Sequence, residues 1–233
     1  MNLLRKNSQE LISLVKQKVE NLAEKGRFSG AVLIGNKEKV LYSQAFGVAN
    51  TEKNILNSIN TKFNLASMNK MFTSLAITIL EEQGKLSFAD LIKKFIPEFP
   101  YDNITIHHLL THSSGVGDFF NEKFLEKRTN LKNLVDYLPL FIEEKPQFKP
   151  GTRFQYSNGG FILLGLVIEK VSKINYFEFV KKYIFKPLEM NDTDSFEINC
   201  DNEELAIGYT NFKFDGSFQE EKTIKLYFCA KGA

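Results

Sequence analysis

A chain of 233 residues with 43% apolar and 25% charged residues is long enough for one large domain or two small ones, and too apolar to be disordered. Lys and Arg number 30 against 28 Asp and Glu, and the charges are interspersed in nothing longer than pairs such as Lys93-Lys94, which excludes a basic face for nucleic acid or anionic membrane. The longest nearly unbroken apolar stretch, Gly159 to Ile168, ends at Glu169 and falls short of the 18 or so residues that span a bilayer, so no transmembrane helix is expected.

The amino terminus reads as a helix. Asn7 and Glu10 have capping-box spacing, and Leu11, Val15, Val19 and Leu22 form one apolar stripe that ends near Gly26. Arg5, Lys6, Glu10, Lys16, Lys18 and Glu20 break up any signal-peptide core, which places the chain as written in the cytoplasm; a leader removed from it would make it periplasmic or secreted. With no export signal, Cys200 and Cys229 are expected to stay reduced and packed as small apolar residues, and they carry no metal-site spacing.

Ala31 to Ile34 and Val40 to Phe46 are β-rich runs joined by Gly35-Asn36-Lys37-Glu38, the pattern of an antiparallel hairpin. From Met68, the residues Met71, Phe72, Leu75, Ala76, Ile79 and Leu80 recur at helical spacing up to Gly84. Ser87 and Asp90 open a further short helix that Pro97 halts. Helical patterns then dominate to about Pro187. Among them Phe161, Leu164, Gly165, Ile168 and Val171 mark a helix apolar nearly all round, and hence buried, with Gly159, Gly160 and Gly165 allowing close neighbours. Leu205 to Phe214 and Ser217 onward flank Asp215-Gly216, a hairpin turn signal. No repeat and no linker interrupts the chain.

Two short patterns carry candidate chemistry. In Ser67-Met68-Asn69-Lys70 the first and last residues share a helical face, so the Lys70 ammonium can reach the Ser67 hydroxyl. Backbone N–H groups at a helix start favour the oxyanion formed in acyl transfer. The bland alternative is a helix-capping serine and a solvated lysine. In Tyr156-Ser157-Asn158, two side chains two apart in extended chain face the same way. A phenol beside a lysine can hold the proton taken from a serine, and an amide can orient a bound peptide group. Here the alternative is a buried tyrosine with a capping asparagine. His108 and His112 lie four apart without a third ligand, so packing and helix-end hydrogen bonds are expected of them rather than a metal site. No G-x-S-x-G elbow is present.

Together, Ser67-x-x-Lys70 and Tyr156-x-Asn158 resemble the serine β-lactamase and penicillin-binding superfamily, in the branch of class C β-lactamases, D-alanyl-D-alanine carboxypeptidases and related esterases. The resemblance extends along the chain. Phe28 to Ile34 is similar to the family's first strand, Leu109-Leu110-Thr111-His112-Ser113-Ser114-Gly115 to its L-L-T-H-T-S-G segment, Pro150-Gly151-Thr152 and Leu163-Leu164-Gly165 to the flanks of the second motif, and Pro187-Leu188-Glu189-Met190 to P-L-G-M. Asn69 and Glu189 depart from the usual residues without touching the chemistry. The family's third motif, K-T-G or H-x-G, is not visible: Lys222-Thr223-Ile224 lacks the glycine and follows Asn158 too soon. The chain therefore reads as one domain truncated before that motif, with an amino-terminal helix and hairpin (1–60), a mainly helical part bearing both motifs (61–195) and late strands (196–233).

The resemblance implies an α+β fold, an antiparallel sheet flanked by helices with a helical subdomain and its late strands missing. It implies a serine hydrolase without cofactor or metal, acting through an acyl-enzyme on a D-alanyl peptide, a β-lactam or a small ester. Ser67 would be the nucleophile, Lys70 and Tyr156 would manage its proton, Asn158 would bind substrate, and the Ser67 N–H would be half of an oxyanion hole. The alternative is an inactive truncated homologue that binds or self-assembles through an exposed sheet edge.

Overall fold

The computed structural model describes residues 8–127, 130–195, 204–210 and 224–226. Asn7, both cysteines, Asp215-Gly216 and Lys222-Thr223 lie outside them. The described chain forms two compact units. One comprises the residues through Asn64 with the late segments 204–210 and 224–226, and the other runs from Leu65 to Ser195.

In the first unit, helix α1 (Ser8–Glu24) rests a half-buried apolar stripe, including Leu11, Val19 and Leu22, against strand β2. Its end is closed by Gly26 N–H on Ala23 O (2.9 Å) and Arg27 N–H on Leu22 O (2.8 Å), the paired bonds that satisfy orphan carbonyls at a helix terminus. Strands β1 (Gly30–Gly35) and β2 (Val40–Phe46) form the expected antiparallel hairpin, in register from Gly30 opposite Phe46 to Ile34 opposite Tyr42. Asn36 Oδ1 builds the turn by accepting the N–H groups of Glu38 and Lys39, each at 2.9 Å. Two more two-stranded antiparallel sheets follow, β3 (Val48–Asn50) with β4 (Ile55–Leu56) and β5 (Gly208–Thr210) with β6 (Ile224–Leu226). The sheet content is thus three separate pairs among the described residues.

The second unit holds the large core. Helix α2 (Lys70–Glu82) buries Phe72, Thr73, Ala76, Ile77 and Leu80. Just beyond its end stands Gly84, whose φ of +66° suits a residue without a side chain. Two short helices follow, α3 (Ile106–Leu110) and α4 (Glu122–Lys127). Helix α5 (Asn158–Ser172) is buried from Gly159 through Ile168 and packs against α2, α3, α6 (Tyr176–Val180) and a 3-10 turn at Leu134–Leu140. A buried hydrogen bond of 2.7 Å joins Thr73 on α2 to the Tyr176 hydroxyl on α6. Burial pushes that phenol up to about 12, against the opposing effect of the Thr73 bond.

Two expectations are corrected here. The helix read from Ser87 to Pro97 is only a single 3-10 turn, Ile92–Lys94. Ser87 and Asp90 do bond reciprocally, but the chain then opens at Leu91, because Ile92 N–H bonds Ile104 O (2.9 Å) and Ile106 N–H bonds Asp90 O (3.0 Å). The long helical middle is also largely irregular between α3 and α5, where apolar periodicity reports burial of loops rather than helix.

Candidate active site

The candidate residues all come from the second unit, from two adjoining segments. Ser67 lies on a 3-10 turn, Ala66–Asn69, that runs directly into α2 at Lys70. The sequence places Ser67 in the helix itself, and the tighter turn has a consequence. Side chains three apart eclipse one another in 3-10 geometry, and Ser67 and Lys70 stand three apart across the join of turn and helix. The backbone enters this turn through Ala66 at φ 46°, a left-handed conformation that costs a non-glycine residue about 1–2 kcal/mol.

The second segment is the extended run that ends at Ser157, the N-cap of α5. Ser157 Oγ accepts the Gly160 N–H (3.0 Å) and donates to Gly117 O (3.0 Å), so the cap also ties the helix to a preceding loop. Tyr156 and Asn158 flank the cap and both reach the Ser67 turn. The Tyr156 hydroxyl donates to Ser67 Oγ at 2.7 Å, and Lys70 Nζ donates to Asn158 Oδ1 at 2.8 Å. Lys70 Nζ also stands 5.1 Å from the centre of the Tyr156 ring and 5.4 Å from that of Phe161, within cation–π range. The four side chains named from the sequence are therefore in one place. The difference lies in the pairing: the Ser67 oxygen is bonded by the phenol, while the ammonium bonds the amide.

The segment Leu109 to Gly115 braces the second segment through backbone hydrogen bonds. Gly151 N–H bonds Ser113 O (2.8 Å), Gln155 N–H bonds His112 O (2.8 Å) and Gln147 N–H bonds Gly115 O (2.9 Å). His112, at φ 53°, accepts the Ser157 N–H on Nδ1 (3.2 Å) and lays its ring 4.6 Å from Tyr156 and 5.1 Å from Phe161. Burial, then the positive charge of Lys70, hold this imidazole below its ordinary value, with Asp118 pulling the other way. His108 closes a capping box on α3, its Nδ1 accepting the Thr105 N–H and its own N–H bonding Thr105 Oγ1, each at 3.2 Å. Both histidines thus serve the helix-end hydrogen bonds expected of them.

Asp118 is the residue the sequence does not single out. Its Oδ2 accepts both the backbone N–H and the side-chain Nδ2–H of Asn158, each at 2.9 Å, while its Oδ1 accepts the Phe120 N–H at 3.1 Å. No local pattern marks it, since its partner Asn158 lies 40 residues away in sequence. Among the described residues, no group of three or more His, Cys, Asp or Glu could hold a metal ion, and no helix is long and apolar enough to cross a membrane.

The chain is similar to known proteins in sequence and in fold. The family model described as Beta-lactamase matches residues 13–211. Penicillin-binding protein 4* of Bacillus subtilis (strain 168) is 38% identical over 197 residues, covering 82% of this chain and 44% of that protein. Among solved structures, a penicillin binding protein from Bacillus halodurans superposes with a TM-score of 0.77 at 39% identity, over 86% of this chain and 62% of that one. EstCE1, a hydrolase with promiscuous acyltransferase activity, gives 0.74 at 26% identity, over 86% and 57%. The chain belongs to the beta-lactamase family and has that family's mixed helix-and-sheet fold. It spans less than half the length of the curated relatives it matches, 44% and 42% for two of them.

Proposed function

We propose that the chain is a serine acyl-transfer hydrolase in which Ser67 is the nucleophile, Lys70 and Tyr156 handle its proton and Asn158 orients the substrate. The observation that carries this reading is the 2.7 Å contact between the Tyr156 hydroxyl and Ser67 Oγ, beside a Lys70 ammonium fixed on Asn158. In the first half-reaction Ser67 Oγ bonds the substrate carbonyl carbon as its proton passes to the Tyr156–Lys70 pair, which takes it only in the form that has one proton fewer, phenolate beside ammonium or phenol beside amine. The same pair returns a proton to the leaving group as the acyl–nitrogen or acyl–oxygen bond breaks. Water then repeats the sequence on the acyl-serine and releases the acid. In this reading the Ser67 N–H, in the turn leading into α2, is one donor to the developing oxyanion.

The substrate we propose is a D-alanyl peptide, a β-lactam or a small ester. Penicillin binding belongs to the names of two relatives, and acyl transfer to that of a third. Intact-mass measurement after exposure to benzylpenicillin, and separately to p-nitrophenyl acetate, tests the reading. A single acyl adduct mapped to Ser67 and lost in Ser67→Ala is expected; an adduct on Ser113 or Ser157, or one that survives in Ser67→Ala, overturns it.

A second reading, an inactive homologue that acts by binding or self-assembly, rests on the hairpin β1–β2, whose Leu33 and Val40 stand 67% and 58% exposed. A protein that takes up neither probe yet forms defined oligomers would favour it.

A further inference from the structure

We infer that Asp118 is a positioning residue that fixes the Asn158 carboxamide with its oxygen toward Lys70, so that the orientation of the Lys70 ammonium is set from the loop that bears Asp118. This inference deepens the proposed function and rests on it for its catalytic consequence, though not for its geometry.

A carboxamide has two ends of nearly equal size and opposite hydrogen-bonding sense. With the oxygen toward Lys70 it accepts from the ammonium; reversed, it would set an NH2 group against an NH3+ group, two donors with nothing between them. What selects the working orientation is the other end. Asp118 Oδ2 takes the Nδ2–H of Asn158 and, on the same oxygen, the backbone N–H of Asn158, the first residue of α5. An ionised carboxylate only accepts, so the amide oxygen cannot turn toward it. The charge-assisted bonds are also the stronger kind, and the start of a helix favours a negative neighbour.

Asp118 is itself held. Its Oδ1 is committed to the Phe120 N–H, and the loop that bears it is pinned to α5 by the Ser157 Oγ bond to Gly117 O. The close approach depends on Gly159, where a Cβ would lie 2.5 Å from Gly117 O. A continuous chain of contacts therefore runs from Asp118 through Asn158 to Lys70, each link between 2.8 and 2.9 Å.

The test uses the full 233-residue protein and two readouts. The first is independent of catalysis: exchange of the Asn158 side-chain NH2 protons with water, followed by NMR. In the unmodified protein these protons should exchange more slowly than those of the exposed Asn60, and Asp118→Ala should bring the two together. Asp118→Asn, whose amide oxygen can accept the same two N–H groups, should retain much of the protection. The second readout is the rate of Ser67 acylation by p-nitrophenyl acetate. Asp118→Ala should lower it roughly ten- to a hundredfold with little change in KM, as expected for loss of hydrogen bonds to a charged group.

In an Asn158→Ala background the same change should cost less than about twofold, because a residue acting only through Asn158 has nothing left to position. Unprotected Asn158 NH2 protons in the unmodified protein, which requires no variant to fold, would overturn the inference, as would an Asp118→Ala loss equally large in the Asn158→Ala background. A protein inert to the ester that nevertheless shows the expected exchange pattern would defeat the catalytic reading and leave the positioning of Asn158 standing.

Discussion

At Lys70 a substitution separates charge from proton transfer. Arginine keeps the charge at any accessible pH and can still bond the Asn158 amide, whereas alanine removes both. If Lys70 shares the Ser67 proton, Lys70→Arg and Lys70→Ala should both lower acylation by about a hundredfold or more, with thermal unfolding of the arginine variant unchanged. Normal acylation by both variants would make Lys70 a surface lysine. His112 gives the pH dependence. Its folded value lies below the ordinary 6.5, so above about pH 6.5 the ring is neutral whether the chain is folded or not, and the bond from the Ser157 N–H is intact. Below that the unfolded chain binds the proton first, and stability falls as the pH drops from 6.5 through the folded value, where Nδ1 stops accepting. Urea unfolding measured as a function of pH should show a larger loss in the parent than in His112→Asn, since asparagine tolerates the left-handed backbone at φ 53° and its oxygen does not titrate in this range, while His108, also held low by burial and then by His107, contributes to both. His112→Ala should cost about 2–4 kcal/mol, from an unpaired buried N–H and a strained alanine. The residues bearing these side chains were legible in the sequence wherever spacing within one segment brings groups together, as in Ser67 with Lys70 and Tyr156 with Asn158. Asp118 was not, because its partner Asn158 lies 40 residues away in sequence and no local pattern marks the pair.

The elements that could be read from the sequence are those whose partners are local. Helices α1, α2 and α5 follow their apolar periodicity, and the β1–β2 hairpin follows its turn residues. The stretch from Ser87 to Pro97 could not be read this way, since what opens it at Leu91 is a pair of bonds to Ile104 and Ile106, set by tertiary structure. The same distinction separates two glycines. At Gly159 an added Cβ would meet the Gly117 carbonyl oxygen at 2.5 Å and the Phe141 ring at 3.0 Å, and neither is the free end of a flexible chain. Gly159→Ala should therefore displace the start of α5 from the Asp118 loop, costing about 1–3 kcal/mol of stability and slowing Ser67 acylation with it. At Gly84 nothing lies within 4 Å, and only the φ of +66° resists a side chain. Gly84→Ala should cost about 1–2 kcal/mol through backbone strain alone and leave acylation unchanged. Differential scanning calorimetry alongside the ester assay separates the two. Equal effects on acylation would mean that the seating of α5 does not control the site.

At the scale of the whole molecule the two units carry different burdens. Every group of the candidate site, Asp118 and His112 included, belongs to the unit from Leu65 to Ser195, which also holds nearly all of the buried core. The other unit is built from two-stranded sheets, and Leu33, Val40, Leu56 and Ile59 are 67%, 58%, 68% and 63% exposed on it. A lone two-stranded hairpin is marginal in water, and its unpaired edges can template further strands. Among the described residues no further strand pairs with hairpin β1–β2, which also exposes Leu33 and Val40, so the chain should associate with itself as its concentration rises. Replacing Leu33 and Val40 together by lysine places charge on exposed positions of the hairpin, the device by which natural sheets discourage edge pairing. Sedimentation velocity across a concentration series should then show oligomers for the parent and monomer for the double variant. The Ser67 adduct with benzylpenicillin should form in both, because no group of the site is altered. A parent that stays monomeric throughout would remove self-assembly as a role for this chain, and an adduct lost on dissociation would mean that the site depends on a second copy.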